Sequence, residues 1–330
     1  MKALVYTNRN EVAYRDEPDP HPAAGEVVLD IEAVGICGSD MHAYHGLDPR
    51  RSPPLILGHE LCGTIVAGAG AGRRVTVNPL ITCGHCDYCL TGRNNLCSDR
   101  TMIGMTRPGG FAERMSIPAS SLIEIPQDMG ARQAALTEPA ATALHAIDRA
   151  TRVLVRPLPE VRTLVIGGGA VGLLAALLLK AYGCRDILLG ETNPLRRESA
   201  ARACGCGTYD PRAGKGAADN SVDFVLDAVG GKATRNAALS AVRPGGVVVH
   251  VGLMDWASEI DMRKLTLAEI TLIGTYTYST ADLNATVAAL YRGTFGDLAW
   301  VEERSLADGA AAFADLDQGR TAAAKIVLRP

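Results

Sequence analysis

Four cysteines lie close together in Cys83-Gly-His-Cys86-Asp-Tyr-Cys89 and the nearby Cys97. Thiolates at this spacing can close a tetrahedron on zinc, and a site filled by four protein ligands has no position left for substrate, so its expected role is structural. Free or redox-paired thiols are the alternative, although two neighbouring disulfides in an intracellular enzyme would be unusual. His85 is superfluous once four sulfurs are present and reads as a surface residue. A second set is dispersed over Gly35-Ile-Cys37-Gly-Ser39-Asp40-Met-His42, Gly58-His59-Glu60 and Thr137-Glu138-Pro139. One thiolate, one imidazole and one carboxylate would hold zinc with a position open for water or substrate, as a catalytic site requires. By spacing alone the alternative stays open that the cysteine is a small buried hydrophobe and the histidine a hydrogen-bonded bystander.

A third signal is Thr163-Leu-Val-Ile-Gly167-Gly168-Gly169-Ala170-Val171-Gly172. In this G-x-G-x-x-G the first glycine allows the tight turn, the second a close approach to pyrophosphate and the third close packing of helix on strand. The acid expected about twenty residues onward is Glu191, after Ile187-Leu-Leu189. A carboxylate there accepts hydrogen bonds from a free ribose and repels a phosphate, so NAD is expected ahead of NADP. Arg196 and Arg197 could hold the extra phosphate of NADP, but Pro194 should open a helix that turns at least one of them to solvent.

These residues need elements to place them. Up to about residue 125 short alternating runs such as Glu26 to Val34 and Arg74 to Asn78 are separated by Gly and Pro, the pattern of a β-rich barrel or meander. A helix is expected over Ala131 to Ala150. Strands and helices then alternate: Thr163–Ile166, Ala170–Tyr182, Ile187–Leu189, Pro194–Ala203, Phe224–Asp227, Thr234–Val242 and Val247–Val251. That order implies βαβ units on a parallel sheet. Ile270 to Thr275 should end the sheet, followed by a helix over Asp282 to Tyr291 and a terminal strand over Ala324 to Leu328.

Composition excludes several classes. At 330 residues with 47% apolar and 21% charged residues the chain can bury a sizeable core, and about two domains are expected. A net charge of −3 with no basic stripe argues against nucleic acid. The apolar run Leu164 to Leu179 is interrupted by glycines and short of the ~20 residues of a membrane span. The first ten residues read as a strand rather than a secretion signal, and cysteines crowded into one segment favour metal in a reducing compartment, so a cytoplasmic protein is expected.

Together these residues resemble the zinc-dependent medium-chain dehydrogenases, in the polyol (sorbitol-like) and threonine dehydrogenase branch. The resemblance rests on Gly35-Ile-Cys37-Gly-Ser39-Asp40, Gly58-His59-Glu60, the four-cysteine lobe, Gly109-Gly110-Phe111-Ala112-Glu113, Glu138-Pro139 with His145, and the glycine fingerprint. It implies an α/β protein with a GroES-like catalytic domain (residues 1–139 and 280–330) and an inserted Rossmann domain (140–279), with substrate in the cleft between them. By the same resemblance Cys37 and His59 are zinc ligands, Glu138 binds zinc directly or through water, and Glu60 belongs to the site as ligand or neighbour. Ser39 receives the alcohol proton and His42 passes it towards solvent, unless Ser39 only caps the helix that starts there and His42 is merely exposed. Dimers or tetramers through the Rossmann sheet edge are implied as well.

Two departures shape the substrate expectation. The connection Ala67-Gly-Ala-Gly-Ala-Gly-Arg73-Arg74 is shorter than the family's and lacks its Asp, so a trimmed surface turn is expected. Thr277 stands where sorbitol-type enzymes have Arg, leaving Tyr276, Thr277, Tyr278 and Tyr44 as neutral hydrogen-bonding groups. The expected reaction is NAD-linked oxidation of a secondary alcohol in a neutral polyol or vicinal diol. An amino alcohol and a sugar or polyol phosphate are the same-chemistry alternatives, the last because Arg50 and Arg51 could reach an anion if they are not simply a solvated loop. A catalytically silent NAD-binding sensor or scaffold is the alternative of another class.

Overall fold

The structure is a computed structural model describing residues 1–214 and 216–330. The first part of the chain is a succession of short strands, β1 (Lys2–Asn8), β2 (Glu11–Asp16), β3 (Glu26–Gly35), β4 (Leu55–Ile56), β5 (Glu60–Ala67), β6 (Arg74–Val77), β7 (Leu80–Ile81), β8 (Thr101–Met102), β9 (Arg114–Pro118) and β10 (Leu122–Glu124). Two short helices interrupt them, α1 (Gly38–Tyr44) and α2 (Asp87–Leu90). The glycine-rich connection from β5 to β6 is a tight turn with Gly68, Gly70 and Gly72 at positive φ, as its shortness implies.

The expected helix over Ala131 to Ala150 is two helices, α3 (Ala131–Ala135) and α4 (Thr137–Thr151), with the break at Leu136. Pro139 explains the division. It has no N–H for the Ala135 carbonyl and its ring crowds that group, so α4 has to start afresh. The alternating half follows as β11 (Arg162–Ile166), α5 (Ala170–Ala181), β12 (Asp186–Gly190), α6 (Pro194–Cys204), β13 (Gly207–Tyr209), β14 (Val222–Asp227), α7 (Lys232–Ala241), β15 (Val242–His250), α8 (Met262–Leu267) and β16 (Thr271–Gly274). The last elements are α9 (Thr280–Tyr291), β17 (Val301–Ser305), α10 (Gly309–Asp317) and β18 (Lys325–Arg329). Strands β13 and β17 and helices α8 and α10 were not expected from the sequence. β13 is three residues long; α8 is only six residues long, and α10 lies in an alanine-rich stretch, although Asp261 caps α8 and Gly319 follows α10.

Strands β11 to β16 form one parallel sheet in the order β13-β12-β11-β14-β15-β16, doubly wound about β11. The other large sheet runs β10-β6-β5-β3-β18-β17, with β9 also on β3. The end of the chain thus returns to the β-rich part, and β18 pairs antiparallel with β3 at Val327–Gly35 and Leu328–Val34. A continuous apolar core of α3, α4, α5 and α9 reaches Ala33 and Cys62 on the β-rich side, so the two parts share packing. No helix among the described residues is long and apolar enough to cross a membrane.

One cysteine pair departs from the sequence reading. Cys204 and Cys206 are joined by a disulfide, at the point where α6 ends on left-handed Gly205. The other seven cysteines are free.

Candidate active site

β3 ends at Gly35, and α1 begins with Cys37 as its N-cap. The Cys37 N–H donates to the Asp40 carboxylate at 3.0 Å, which closes the first turn. Ser39 therefore sits inside the helix rather than capping it. On the neighbouring strand Glu60 opens β5, directly opposite Gly35, with His59 just before it. A Cβ on Gly35 would come within 2.3 Å of the Glu60 carboxylate, so only glycine leaves room for that acid. Two adjacent strands and the helix following one of them thus bring together groups separated by more than twenty positions. The ligand atoms of Cys37, His59 and Glu60 lie within 4.8 Å of one another.

Each of these groups is held from behind. Asp40 is fully buried, with its Oδ1 3.5 Å from His59 Nδ1, and neither atom has another hydrogen-bond partner. A carboxylate in this position would fix the orientation of a metal-binding imidazole and leave Nε2 on the other side. Nε2 is 3.4 Å from Ser39 Oγ. Burial works against a charged His59, but Asp40 and Cys37 outweigh it, and the imidazole's pKa stands well above its ordinary value. Glu60 is gripped by Lys325, whose Nζ donates to both carboxylate oxygens at 2.7 and 2.6 Å and to the Ile36 carbonyl at 2.7 Å. Both side chains are almost completely buried, so this is a full charge pair within the protein.

Glu138, on the first turn of α4, is buried beside the cluster but is not among the three grouped ligands. Its Oε1 accepts from the Tyr278 hydroxyl at 2.7 Å. Burial foremost, with repulsion from Glu60, pushes the Glu138 carboxyl up to about 7, against the pull of His59, Tyr278 and Lys325. The site therefore has two carboxylates of different standing, one paired with a cation and one held near neutrality by its surroundings.

Several expectations need correcting. Tyr278 is completely buried and its hydroxyl is committed to Glu138, so it is not a donor to substrate. Tyr44 is buried against Phe313, with ring centroids 5.4 Å apart. Arg51 is not a solvated loop residue. It is 4% exposed and donates to the Gly104 and Ser39 carbonyls, to Asp48 at 2.6 Å and to Ser39 Oγ at 3.3 Å. Arg50, its neighbour, donates to both oxygens of Asp48. His42 is half-buried, and no hydrogen bond joins it to Ser39 among the described residues; burial, then the charge of His45, holds its pKa below the ordinary value. Lys325 and the Tyr278 contact were missed. The only sequence signal was a lysine inside the apolar run Ala324-Lys-Ile-Val-Leu328, where an unpaired charge would be out of place.

The four-cysteine lobe is formed as expected. The ligand atoms of Cys83, Cys86, Cys89 and Cys97 all lie within 4.8 Å of one another, and Cys97 is fully buried. Backbone N–H groups of His85 and Cys86 bring the Cys83 thiol down to about 6, while, against the Cys89 N–H, burial and the neighbouring sulfurs push the Cys86 thiol up to about 11. His85 is exposed, its Nδ1 2.8 Å from the Cys83 carbonyl oxygen, and takes no part in the cluster.

The glycine fingerprint forms the turn from β11 into α5. Gly167 is at φ +100°, Gly169 is the N-cap, and Ala170 and Val171 open the helix with no side chain capping its first N–H groups. A Cβ on Gly172 would meet the Gly167 carbonyl oxygen at 1.9 Å, which is why helix and strand can approach only with glycine there. Glu191, one residue past β12, accepts from the Gly168 N–H at 2.8 Å and the Asn193 N–H at 2.7 Å. Arg196 Nη2 is 3.5 Å from Glu191, and Arg197 donates to the Glu191 carbonyl at 2.8 Å, so both arginines are turned back onto this corner rather than to solvent. Mixed thiolate, imidazole and carboxylate donors suit an open zinc site, four thiolates suit a closed one, and the uncapped glycine turn beside an acid suits a dinucleotide.

Known proteins give the same picture. The model of the alcohol dehydrogenase GroES-like domain matches residues 23–127, and that of the zinc-binding dehydrogenases residues 170–292. L-galactonate-5-dehydrogenase of Escherichia coli (strain K12) is 34% identical over 83% of this chain and 82% of its own length. Sorbitol dehydrogenase of Bacillus subtilis (strain 168) is 33% identical over 84% of this chain and 83% of its own. A zinc-binding dehydrogenase from Sinorhizobium meliloti 1021, solved bound to NADP, superposes with a TM-score of 0.87 at 28% identity, covering 100% of this chain and 99% of that one.

Proposed function

This chain belongs to the zinc-type alcohol dehydrogenases, among the polyol dehydrogenases, and from that premise we propose that it oxidises a secondary hydroxyl of a neutral polyol or vicinal diol reversibly to a ketone, with NAD in preference to NADP. The observation that carries the reading is the open three-ligand cluster of Cys37, His59 and Glu60 with Glu138 beside it. When bound, zinc supplies Lewis-acid polarisation of the alcohol oxygen, and the dinucleotide supplies the hydride acceptor.

The protein's own part is to hold, orient and move protons. Cys37 and His59 would hold the metal, and Asp40 would keep the imidazole turned towards it. Lys325 balances the charge of Glu60, so that a cluster with a thiolate and two carboxyl groups does not carry excess negative charge into a buried site. Ser39 Oγ, 3.4 Å from His59 Nε2 and held by Arg51, takes the alcohol proton. His42, three positions on in α1 and kept neutral by burial and the charge of His45, passes it towards solvent. Glu191 takes a ribose hydroxyl and repels a phosphate at the same position. The division into residues 1–139 with 280–330 and residues 140–279 would place the boundaries in or beside α4 and α9, which pack together. A second copy would join along the exposed edge strand β16, where Leu272 is open and Trp256 is 87% exposed nearby in sequence.

A second substrate reading has an observation of its own. Arg100 lies over the Tyr276 ring, 4.9 Å from its centroid, with no carboxylate partner among the described residues, and the E. coli relative is named for a sugar acid. A polyol chain ending in a carboxylate would use that cation. A phosphate finds less, because Arg51 is already spent on Asp48 and on backbone carbonyls.

The test is a dehydrogenase assay over polyols, diols, aldonates, amino alcohols and polyol phosphates, with metal analysis of two variants. Fully loaded protein should carry about two zinc ions per chain. Cys37→Ser should lose activity and one zinc yet stay folded, and Cys97→Ser should lose the other zinc and fold poorly. Full activity in both variants, or turnover of a polyol phosphate far above its parent, overturns the reading.

A further inference from the structure

The four-cysteine lobe is not an isolated appendage. Asn95, in the single 3-10 turn Asn94–Leu96 just before Cys97, is 5% exposed, and its Nδ2 donates to the Tyr276 carbonyl at 2.8 Å, 181 positions away. Beside it the Asn94 amide donates to Thr280 Oγ1 at 3.1 Å and accepts from the Thr280 N–H at 3.3 Å. The Arg100 guanidinium, anchored on the Cys97 carbonyl at 2.7 Å, covers the Tyr276 ring. Three side chains within or just after the lobe thus hold one short segment, residues 276–280, between β16 and α9, through four contacts.

That segment reaches the open site. Its middle residue, Tyr278, is wholly buried with its hydroxyl on Glu138. Thr277 before it has a φ of +49°, a left-handed conformation that a β-branched residue adopts only where its surroundings impose it. On the far side Ser279 caps α9 with Asp282, and Asp282 is bonded at 2.9 Å to His145 of α4, the helix that carries Glu138. The Tyr278 ring is therefore fixed between an anchor on the lobe and an anchor on α4. Only the lobe anchor depends on the four thiolates.

We propose that Asn95 is a positioning residue for the alcohol site, setting Glu138 through the Tyr276 carbonyl and the Tyr278 hydroxyl, so that the metal of the closed lobe governs the geometry of the open one. The inference rests on the proposed zinc roles of the two clusters. A closed lobe keeps the 3-10 turn in place, the turn holds Tyr276, and Tyr278 then presents its O–H to Glu138 Oε1, fixing that carboxyl beside the cluster.

The experiment compares Asn95→Leu, Tyr278→Phe and the double variant in zinc-loaded protein and in protein carrying cobalt at the open site. Asn95→Leu should keep two metals per chain and its NAD affinity, lower kcat by about tenfold, and shift the visible cobalt bands as Tyr278→Phe does. The double variant should fall no further than Tyr278→Phe alone, because both changes act on one chain of contacts. Unchanged cobalt bands and kcat in Asn95→Leu, or losses that multiply in the double variant, overturn the proposal. Should Asn95→Leu lose its lobe metal, Asn95→Asp removes the donor while keeping the side chain's shape, and the same comparison applies. The two readings fail separately: an active Cys37→Ser removes the zinc assignment itself, whereas an inactive Cys37→Ser with a wild-type Asn95→Leu removes only this coupling.

Discussion

Glu191 already spends hydrogen-bonding capacity inside the protein, on the N–H groups of Gly168 and Asn193, so it reaches a ribose as a fixed carboxylate rather than a swinging one. Fixed charge discriminates against phosphate more sharply than mobile charge does, since repulsion cannot be relieved by rotation. Glu191→Ser should therefore narrow the NAD preference by about tenfold or more in kcat/KM ratio, with the freed Arg196 adding affinity for the phosphate. A wild-type preference for NADP in the same assay would reverse the assignment. Gly172→Ala tests the neighbouring contact. Its methyl group would collide with the Gly167 carbonyl, so α5 must retreat from β11, at a cost of about 1–3 kcal/mol in thermal melts and with weakened dinucleotide binding by calorimetry. At this scale the sequence was informative where a residue's type and spacing carry the signal: the four lobe cysteines and the glycines were legible from spacing, whereas Cys37 and His59 stood out only together with the family resemblance, and the structure brings both sets of candidate ligands into clusters. Lys325, Arg51 and Tyr278 could not, because their importance lies in what they touch, and their partners are 265, 53 and 140 positions away.

Elements were legible in proportion to how regular their pattern is. The βαβ run is periodic and flanked by turn residues, and its strands and helices fall within a few residues of expectation, whereas α3 and α4 were fused because apolar spacing continues across Leu136 and only Pro139 marks the break. The four-cysteine lobe has little regular structure and was picked out by cysteine spacing instead, which the structure brings into one cluster. What holds the β-rich part to the rest is less visible. Arg74, at the start of β6, donates to both oxygens of Glu32 on β3 and to the carbonyls of Gln127 and Met129 in the chain leading to α3. Arg74 foremost, despite burial, holds the Glu32 carboxyl below its ordinary range. A depressed carboxyl contributes stability that is present above its unfolded value near 4.5 and is lost as pH falls through the folded value. Glu32→Gln should accordingly cost about 1 to 2 kcal/mol at pH 7 and much less in acid, giving a flatter melting temperature between neutral pH and pH 3. A variant whose loss is the same at both ends would show that the pair adds no linked stability.

At the scale of the molecule the two sheets meet through shared helices, and the cluster of Cys37, His59 and Glu60 lies on the β-rich strands whose Ala33 and Cys62 join that common core. The doubly wound topology makes this arrangement natural, since a parallel sheet binds its ligand beyond the carboxyl ends of its strands where the winding direction changes. The same topology leaves β16 unpaired on one side. Its exposed Leu272, with Leu253, Met254, Trp256, Met262 and Leu267 in the preceding segment, is more apolar surface than a solitary edge strand ordinarily presents. A two-fold axis beside β16 would pair it antiparallel with its own copy and continue the sheet across both subunits. Leu272→Lys places a like charge on both strands of such a junction without touching either metal cluster. Sedimentation at micromolar concentration should show wild-type protein as a dimer or larger and Leu272→Lys as a monomer with both zincs retained. A variant that sediments like the wild type would move the contact to another surface, and a monomeric wild type would leave the apolar edge to a different partner.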